Sequence, residues 1–449
     1  MRLRKTITTI VATAILLAGW QLFAVIANQP ELIPSLPRLV RTLCEWLVSG
    51  SFYQSVGATI FRGILGMSIS FVCAIGMAGL FARFEWVYEL FRPLLAIMRS
   101  IPVISFILLA LIFLNPESIP LMIAFLTMFP LLTENLTRGI LDLRPGLSIM
   151  ARQFHIKRSN VLFQIIYPQL KPFLYSGLAS AAGFGWRAII MGEVLSQCAF
   201  GIGSEMKRAQ NFIAVPELLA WTIVAVFISF FFDKGISKVA DITPKISFAN
   251  EDQTIPTPTL SVLDTKDISY QYGIQHFSHS FQKGIIYGIS APSGKGKTTL
   301  LNLIGGILLP TEGEIHPTRH FGIATIFQQP QLLPYLTAEE NIILPLSSFL
   351  TEEKARRIAQ KHLQEMEMEP FGNRYPKELS YGQQQRIAIA RALAYPSPLL
   401  LMDEPFKGLD EALSHRIIER IREKQMKEER IILFTSHNPD EIRLLADEV

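Results

Sequence analysis

The chain has 449 residues, enough for two or three domains, and 49% of them are hydrophobic. Its 42 Lys and Arg against 38 Asp and Glu leave a formal net charge of +4. That charge is small and spread over both halves, which argues against nucleic acid as the main partner. The average hides a division. Residues 1–232 are apolar runs broken by short charged loops, whereas residues 233–449 carry the mixed charge of a soluble domain. Three cysteines, Cys44, Cys73 and Cys198, lack metal-ligand spacing and read as small apolar residues. A Cys44–Cys198 disulfide is open to them only if both face an oxidising compartment.

A bilayer core needs about 20 apolar residues of helix. Six candidate spans meet this need, at residues 7–27, 58–82, 94–114, 118–134, 173–197 and 216–232. Arg2, Arg4 and Lys5 precede the first, and Val25-x-Ala27 could be cut as in a signal peptide. An uncleaved helix fits better, because the apolar stretch is long and further spans follow it. The basic start places the N-terminus inside. The loop between spans four and five carries Arg138, Arg144, Arg152, Lys157, Arg158 and Lys171, and an even number of spans puts it inside as well. Lys234, Lys238 and everything after them then lie in the cytoplasm. Within the fifth span stand Arg187 and Glu193, costly in lipid and therefore candidates for a pathway or gating role.

The basic loop reads "LSIMARQFHIKRSNVLFQIIYPQLKP". It resembles the cytoplasmic coupling loop of bacterial ABC import permeases, whose pattern is Glu-Ala-Ala, three residues, Gly, nine residues, Ile-x-Leu-Pro. Ala151, Ile165 and Pro168 match; Ile149, Met150 and Tyr167 depart, and His155 stands at the glycine. The flanking stretches "RSIPVISF" and "GWRAIIMGE" are similar to permeases of the nitrate, sulfonate and taurine group. The resemblance implies a coupling loop of two short helices that docks on a soluble subunit, with Pro168 ending or kinking one of them.

Residues 241–261, "DITPKISFANEDQTIPTPTLS", exchange the apolar pattern for Pro, Thr and acidic residues and predict a flexible, partly extended tether. Pro256 and Pro258 disfavour helix there. Domains are expected at 1–240 (membrane), 241–261 (linker) and 262–449 (soluble α/β).

In the soluble half a β-prone run, Ile285–Ile289, leads into "SAPSGKGKTTLL" and then a helix from Thr298 to Ile304. Strand, glycine-rich loop and helix form the setting of a phosphate-binding loop. Backbone N–H groups from Ser293 through Gly294, Lys295, Gly296, Lys297 and Thr298 to Thr299 would wrap phosphate oxygens. Lys297 would reach the terminal phosphates of ATP, and the Thr298 hydroxyl would bind Mg²⁺. Ala291 replaces the first glycine of the pattern, which matters only if that position needs positive φ or very close approach. About a hundred residues later comes "PLLLMDEPFKGLD". Leu399–Met402 predicts a buried parallel strand, with Asp403 placed for Mg²⁺ and Glu404 for polarising water.

"ELSYGQQQRIAIARAL" resembles the signature motif of ABC ATPases through Leu379, Ser380, Gly382 and Gln383, with Tyr381 at a glycine position. A helix is expected from Gln383 to Tyr395. The resemblance implies that Ser380, Gly382 and Gln383 act on the partner's nucleotide, and it carries further roles. Tyr272 would stack on adenine, Gln328 would sense Mg²⁺, Asp410 would cross the dimer interface, and His437 would contact the γ-phosphate.

Taken together, these residues identify the chain as a member of the ABC transporters, a permease fused to its ATPase. The expected fold is an all-α six-helix membrane domain followed by an α/β P-loop domain. The implied unit is a homodimer in a bacterial inner membrane, with the N-terminus and ATPase domain cytoplasmic. ATP and Mg²⁺ are the implied cofactors. An external substrate-binding protein, membrane lipid and a small-molecule cargo are the implied partners. Import of a nitrate-, sulfonate- or taurine-like solute is the leading reading. An exporter or lipid pump, and a weakly active or inactive nucleotide-binding scaffold, are the alternatives.

Overall fold

The structure is a computed structural model that describes residues 2–240, 244–253, 260–271, 273–292, 294–317 and 322–449, with side chains described except at 2–6, 9 and 10. Two compact units emerge: Met1–Leu143 with Gln169–Thr243, and Arg144–Pro168 with Pro244–Val449.

The first unit is helical. Gly50–Arg83, Pro116–Leu141, Arg158–Ser196 and Val215–Ala240 are each long and apolar enough to cross a membrane. The third expected span departs from a single rod. It is a pair of helices, Glu85–Ser100 and Val103–Phe113, bent by 95°. Pro102 sits at the break, and Ile101 before it is extended, at ψ 130°. A proline disfavours helical geometry in the residue before it, which explains the corner. Counting that pair as one span gives five among the described residues, and the first expected span falls on the shorter apolar helix Val11–Ala27.

Gly50–Arg83 shows why the unit packs. Its buried side is a stripe of small residues, Ser55, Thr59, Gly63, Gly66, Ser70, Ala74 and Ala78, spaced three or four apart. At Gly66 a Cβ would lie 2.7 Å from Cβ of Ala124, so glycine is what permits this approach to helix Ile119–Leu141. The opposite side, including Phe61, Ile64 and Val72, is exposed, as a lipid-facing surface requires. Cys44, Cys73 and Cys198 are all free thiols, and only Cys198 is buried, so neither the disulfide nor uniform burial holds.

Glu193 is wholly buried in this unit. Thr59 Oγ1 lies 2.9 Å from both its carboxylate oxygens, Arg62 Nη1 donates at 2.8 Å and the Gly203 N–H at 2.9 Å. Arg62 Nη2 pairs with Glu117 at 2.6 Å, and Glu117 accepts from the Ala199 N–H at 2.6 Å. Thr59 also accepts from Ile202 N–H at 2.9 Å. The cluster fastens the start of helix Ile202–Asn211 to helix Gly50–Arg83. Arg187, by contrast, is exposed.

The second unit holds two sheets. Strands β1 (Val262–Tyr270), β2 (Ile274–Gln282) and β4 (Glu312–His316) form an antiparallel sheet in the order β2-β1-β4. Strands β3 (Ile286–Ile289), β5 (Ala324–Ile326), β6 (Leu399–Asp403) and β7 (Ile431–Thr435) form a parallel sheet in the order β3-β7-β6-β5. Every residue of β6 and β7 is buried, the burial expected of a continuous apolar run inside a parallel sheet.

Residues 144–168 pack into this unit's core. Helix Pro145–Gln153 buries Leu147, Met150 and Ala151, followed by buried Phe154, Ile156 and Ile165, beside Ala324, Leu333, Ile343 and Tyr395. A π-helical stretch, Val161–Ile166, then runs into helix Tyr167–Ser196. Pro168 therefore ends nothing: it stands in the first turn of the long helix. The widened ladder before it relieves the loss of its N–H and the clash of its ring. His155 stands at φ 45°, in the left-handed region that glycine enters without strain, at the position where the resembled pattern has glycine.

The expected tether is not free where it is described. Gln164 Nε2 donates to Pro244 O at 3.1 Å. Asn160 donates to Ser247 O and to Ser347 Oγ, and accepts from Ser247 N–H, each at 2.8 Å. Ala249 N–H donates to Ser347 O at 3.0 Å and Gln253 N–H to Phe349 O at 2.9 Å. Ile246 and Phe248 pack on the core. Two half-buried apolar residues in an otherwise polar stretch are what the composition-based reading passed over. Pro256 and Pro258 lie outside the described residues.

Candidate functional site

β3 delivers the chain into the phosphate-loop sequence, and helix Lys297–Ile304 leaves it. Among the described residues of the loop, the two with positive φ are Gly294, at 80°, and Gly296, at 83°. Both are glycine. A Cβ on Gly296 would also meet Gly273 O at 2.8 Å. Ala291 is not among the residues of positive φ, so its methyl group carries no left-handed strain. Its carbonyl accepts from Lys297 Nζ at 2.5 Å. The missing first glycine is thus a substitution at a position that did not demand glycine.

The ends of β6 and β7 bring the acidic pair beside this loop. Asp403 Oδ2 accepts from Thr298 Oγ1 at 2.8 Å, and Asp403 Oδ1 from Thr435 Oγ1 at 2.7 Å. Thr435 Oγ1 in turn accepts from Glu404 N–H at 3.1 Å. Glu404 has φ 48°, uncommon for a residue with a side chain. Its carboxylate meets His437 Nε2 at 3.1 Å, Lys407 Nζ at 3.3 Å and Gln328 Nε2 at 3.5 Å. His437 Nδ1 is 3.4 Å from Lys297 Nζ. Lys297, Thr298, Gln328, Asp403, Glu404 and His437, far apart in the chain, therefore form one constellation. Lys295 and Thr299 flank it on the loop and its helix. Tyr272 and Ser293 lie outside the described residues.

A hard divalent cation fits the oxygen donors here. Thr298 and Asp403 already converge, with the Gln328 amide nearby. Among the described residues no cluster of three or more His, Cys, Asp or Glu could hold a metal. Mg²⁺ is usually held by one or two carboxylates plus phosphate oxygens. A cavity of about 270 Å³ opens at this end of the sheet. Thr298, Gln328 and Asp403 line it, together with Gly146 and Ile149 of helix Pro145–Gln153.

Ser380 caps helix Tyr381–Ala394: Gln383 N–H donates to its Oγ at 3.3 Å, and Gln383 Oε1 accepts from Ser380 N–H at 2.9 Å. The helix begins two residues earlier than expected because this reciprocal cap fixes its start. Gly382 lies against Gly408, where a Cβ would come within 2.5 Å of the Gly408 carbonyl. Asp410 caps helix Glu411–Glu428 by accepting from Leu413 N–H at 2.9 Å. In this chain Ser380, Gln383 and Asp410 do not join the constellation around Glu404; each is a helix cap.

Residues 144–168 are tied to the same core. Gln153 Nε2 donates to Gly305 O, just past the phosphate-loop helix, at 2.8 Å, and Gln153 O accepts from Ile323 N–H at 2.7 Å. Arg391 is fully buried, 5.4 Å from the Phe154 ring centroid, and donates to Gln331 O and Pro330 O at 2.9 Å. Burial pulls its guanidinium down to about 9, still charged at neutral pH. Sequence reasoning missed Thr435, Gln153, Asn160 and Arg391. Thr435 was legible in principle, two residues before His437 at the end of an apolar run. The other three bond partners more than fifty residues away, and no local pattern marks them.

Two family models match the chain: an ABC transporter model over residues 274–407, and a binding-protein-dependent transport system inner membrane component over residues 66–233. The chain is 35% identical over 187 residues to the uncharacterized ABC transporter ATP-binding protein MJ0796 of Methanocaldococcus jannaschii, covering 37% of this chain and 80% of the relative. It is 35% identical over 199 residues to the thiamine import ATP-binding protein ThiQ of Yersinia pseudotuberculosis, covering 41% and 84%. It is also 35% identical over 185 residues to the glucose import ATP-binding protein GlcV of Saccharolobus solfataricus, covering 38% of this chain and about half, 52%, of that relative's length. A solved dimeric structure of MJ0796 bound to ADP and Pi matches 40% of this chain and 90% of its own at 31% identity, with a TM-score of 0.38.

Proposed function

Because the chain belongs to the ABC transporters, joining a binding-protein-dependent membrane component to an ABC ATPase, we propose that it is an ATP-driven importer working as a homodimer. The observation that carries this reading is the convergence of Lys297, Thr298, Gln328, Asp403, Glu404 and His437 in a unit whose core also contains residues 144–168. ATP would lie along the loop Gly294–Thr299, with Ser293 in the same loop and Tyr272 against the adenine. Lys297 would neutralise terminal phosphate charge and Glu404 would orient the attacking water, with His437 holding that carboxylate and meeting the γ-phosphate. Thr298 and Asp403, with Gln328, would hold Mg²⁺, which offsets phosphate charge. Ser380, Gly382 and Gln383 of each copy would close on the nucleotide of the other, with Asp410 at the interface. The cap occupies the Gln383 N–H, so the backbone N–H groups of Tyr381 and Gly382 would be the ones to meet that nucleotide.

The coupling segment, including Ala151, His155, Ile165 and Pro168, would pass closure of the nucleotide halves to the membrane helices. The reading places the chain in a bacterial inner membrane with both the N-terminus and the ATPase half cytoplasmic. An external binding protein would deliver a small anion or organic solute of the nitrate, sulfonate or taurine kind. The test is ATP turnover by the full chain in lipid, compared with Glu404→Gln. The expected result is a fall in kcat of at least about 100-fold; equal rates would remove Glu404 from the reaction.

A further inference from the structure

Tyr381 occupies a position where the signature pattern has glycine, and the structure gives its ring specific work. Its hydroxyl donates to the carbonyl of Gln328 at 2.9 Å. Its ring edge packs on Gly408, where a Cβ would lie 2.8 Å from Cδ1. Gly408 is at φ 79°, so the turn both needs glycine for its backbone and uses it to admit the ring. These two contacts fall on the segments that flank Glu404. Gln328 Nε2 faces one carboxylate oxygen at 3.5 Å, and Lys407, next to Gly408, faces the other at 3.3 Å. Ser380 and Gln383, the neighbours of Tyr381, are absorbed in capping their own helix. Within this turn, Tyr381 is the side chain that reaches across to the Glu404 constellation.

We propose that Tyr381 is a positioning residue that links the two nucleotide sites of the dimer. This inference rests on the reading above, in which Ser380 and Gly382 meet the partner's nucleotide. Seating of the helix start on that nucleotide moves Tyr381, and its hydroxyl and ring carry the movement to Gln328 and Lys407 in its own chain. Glu404 is thereby set for hydrolysis at one site when the other site is engaged. The bulky ring is then a linking device rather than a defect in the half-site.

The test is steady-state ATP turnover against ATP concentration, in lipid, for the full chain and for Tyr381→Phe and Tyr381→Gly. Hydrogen exchange of residues 327–331 and 404–409 is followed in the same proteins without nucleotide. Tyr381→Phe removes only the hydroxyl, and Tyr381→Gly restores the residue of the family pattern. The expected result is cooperative turnover in the parent. Both variants should show a Hill coefficient near 1 and a kcat lower by about 3- to 10-fold, with KM nearly unchanged. Exchange in the two segments should be faster while melting temperature holds. Retained kcat and Hill coefficient in Tyr381→Phe, or unchanged exchange in both segments, would overturn the proposal. A parent that turns over no ATP would instead remove the transporter reading itself, and the exchange experiment would still report on the Tyr381 contacts.

Discussion

Each half of the molecule keeps a glutamate away from bulk water, and the two are kept very differently. Glu193 in the membrane half is wholly buried, and Thr59, Arg62 and Gly203 all reach it within 2.9 Å. Arg62 is held in turn by Glu117. Glu404 in the nucleotide half stands on a left-handed backbone, and its neighbours His437, Lys407 and Gln328 sit at 3.1 to 3.5 Å. A carboxylate saturated by its own fold holds structure together. One that is strained, loosely partnered and next to a phosphate loop is free to change partners during a reaction.

Removing each carboxylate in turn is the strongest way to break that contrast. Glu193→Ala removes the centre of a closed network and takes from Arg62 its buried carboxylate partner, leaving it Glu117 and the Phe200 carbonyl. The expected loss of stability is on the order of 3 kcal/mol, read as a fall in the melting temperature of the membrane half in detergent. Glu404→Gln should leave that temperature in place while turnover collapses. A Glu193→Ala protein as stable as its parent would show that the cluster is not structural.

A smaller effect is expected where Asn160 meets the linker. Asn160→Ala leaves Ser247 N–H and O without their side-chain partner. Hydrogen exchange across residues 244–253 should rise on the order of 10-fold, and unchanged protection would mean the strap is held by Ile246, Phe248 and the bonds to Gln164, Ser347 and Phe349 without Asn160. The smallest effect belongs to Ala291→Gly. With no positive φ to relieve, KM for ATP should move by no more than about twofold. A larger gain in affinity would show that the methyl group obstructs the nucleotide.

The same contrast explains how much the sequence discloses. The nucleotide half was legible because its chemistry sits on local signals: an apolar run ending in Asp403-Glu404, glycines at the two positions that need them, a serine three residues before Gln383. The parallel sheet followed from those runs. What the motifs could not show is which neighbours each residue takes in this chain. Ser380 and Asp410 are caps here, and Tyr381 lies on Gln328 and Gly408. In the membrane half, apolar length located the spans but not the 95° corner at Pro102, since hydropathy carries no direction. Glu193 was visible as a charge in an apolar helix. Its partners Thr59 and Arg62 lie more than 130 residues away, beyond any local pattern. Over residues 244–253 the linker misled because polar composition was read as freedom, whereas Asn160 and the apolar pair Ile246 and Phe248 tie that stretch down.

The central claim is that two copies clasp ATP between the phosphate loop of one and the signature turn of the other. Ser293→Cys with Ser380→Cys, in a chain whose Cys44, Cys73 and Cys198 are replaced by serine and whose Glu404 is glutamine, tests it in one gel. With ATP and Mg²⁺ under mild oxidation, the expected product is a species of twice the chain mass that is absent without nucleotide. A chain that stays monomeric on that gel with ATP, although both thiols react with maleimide, would contradict the account.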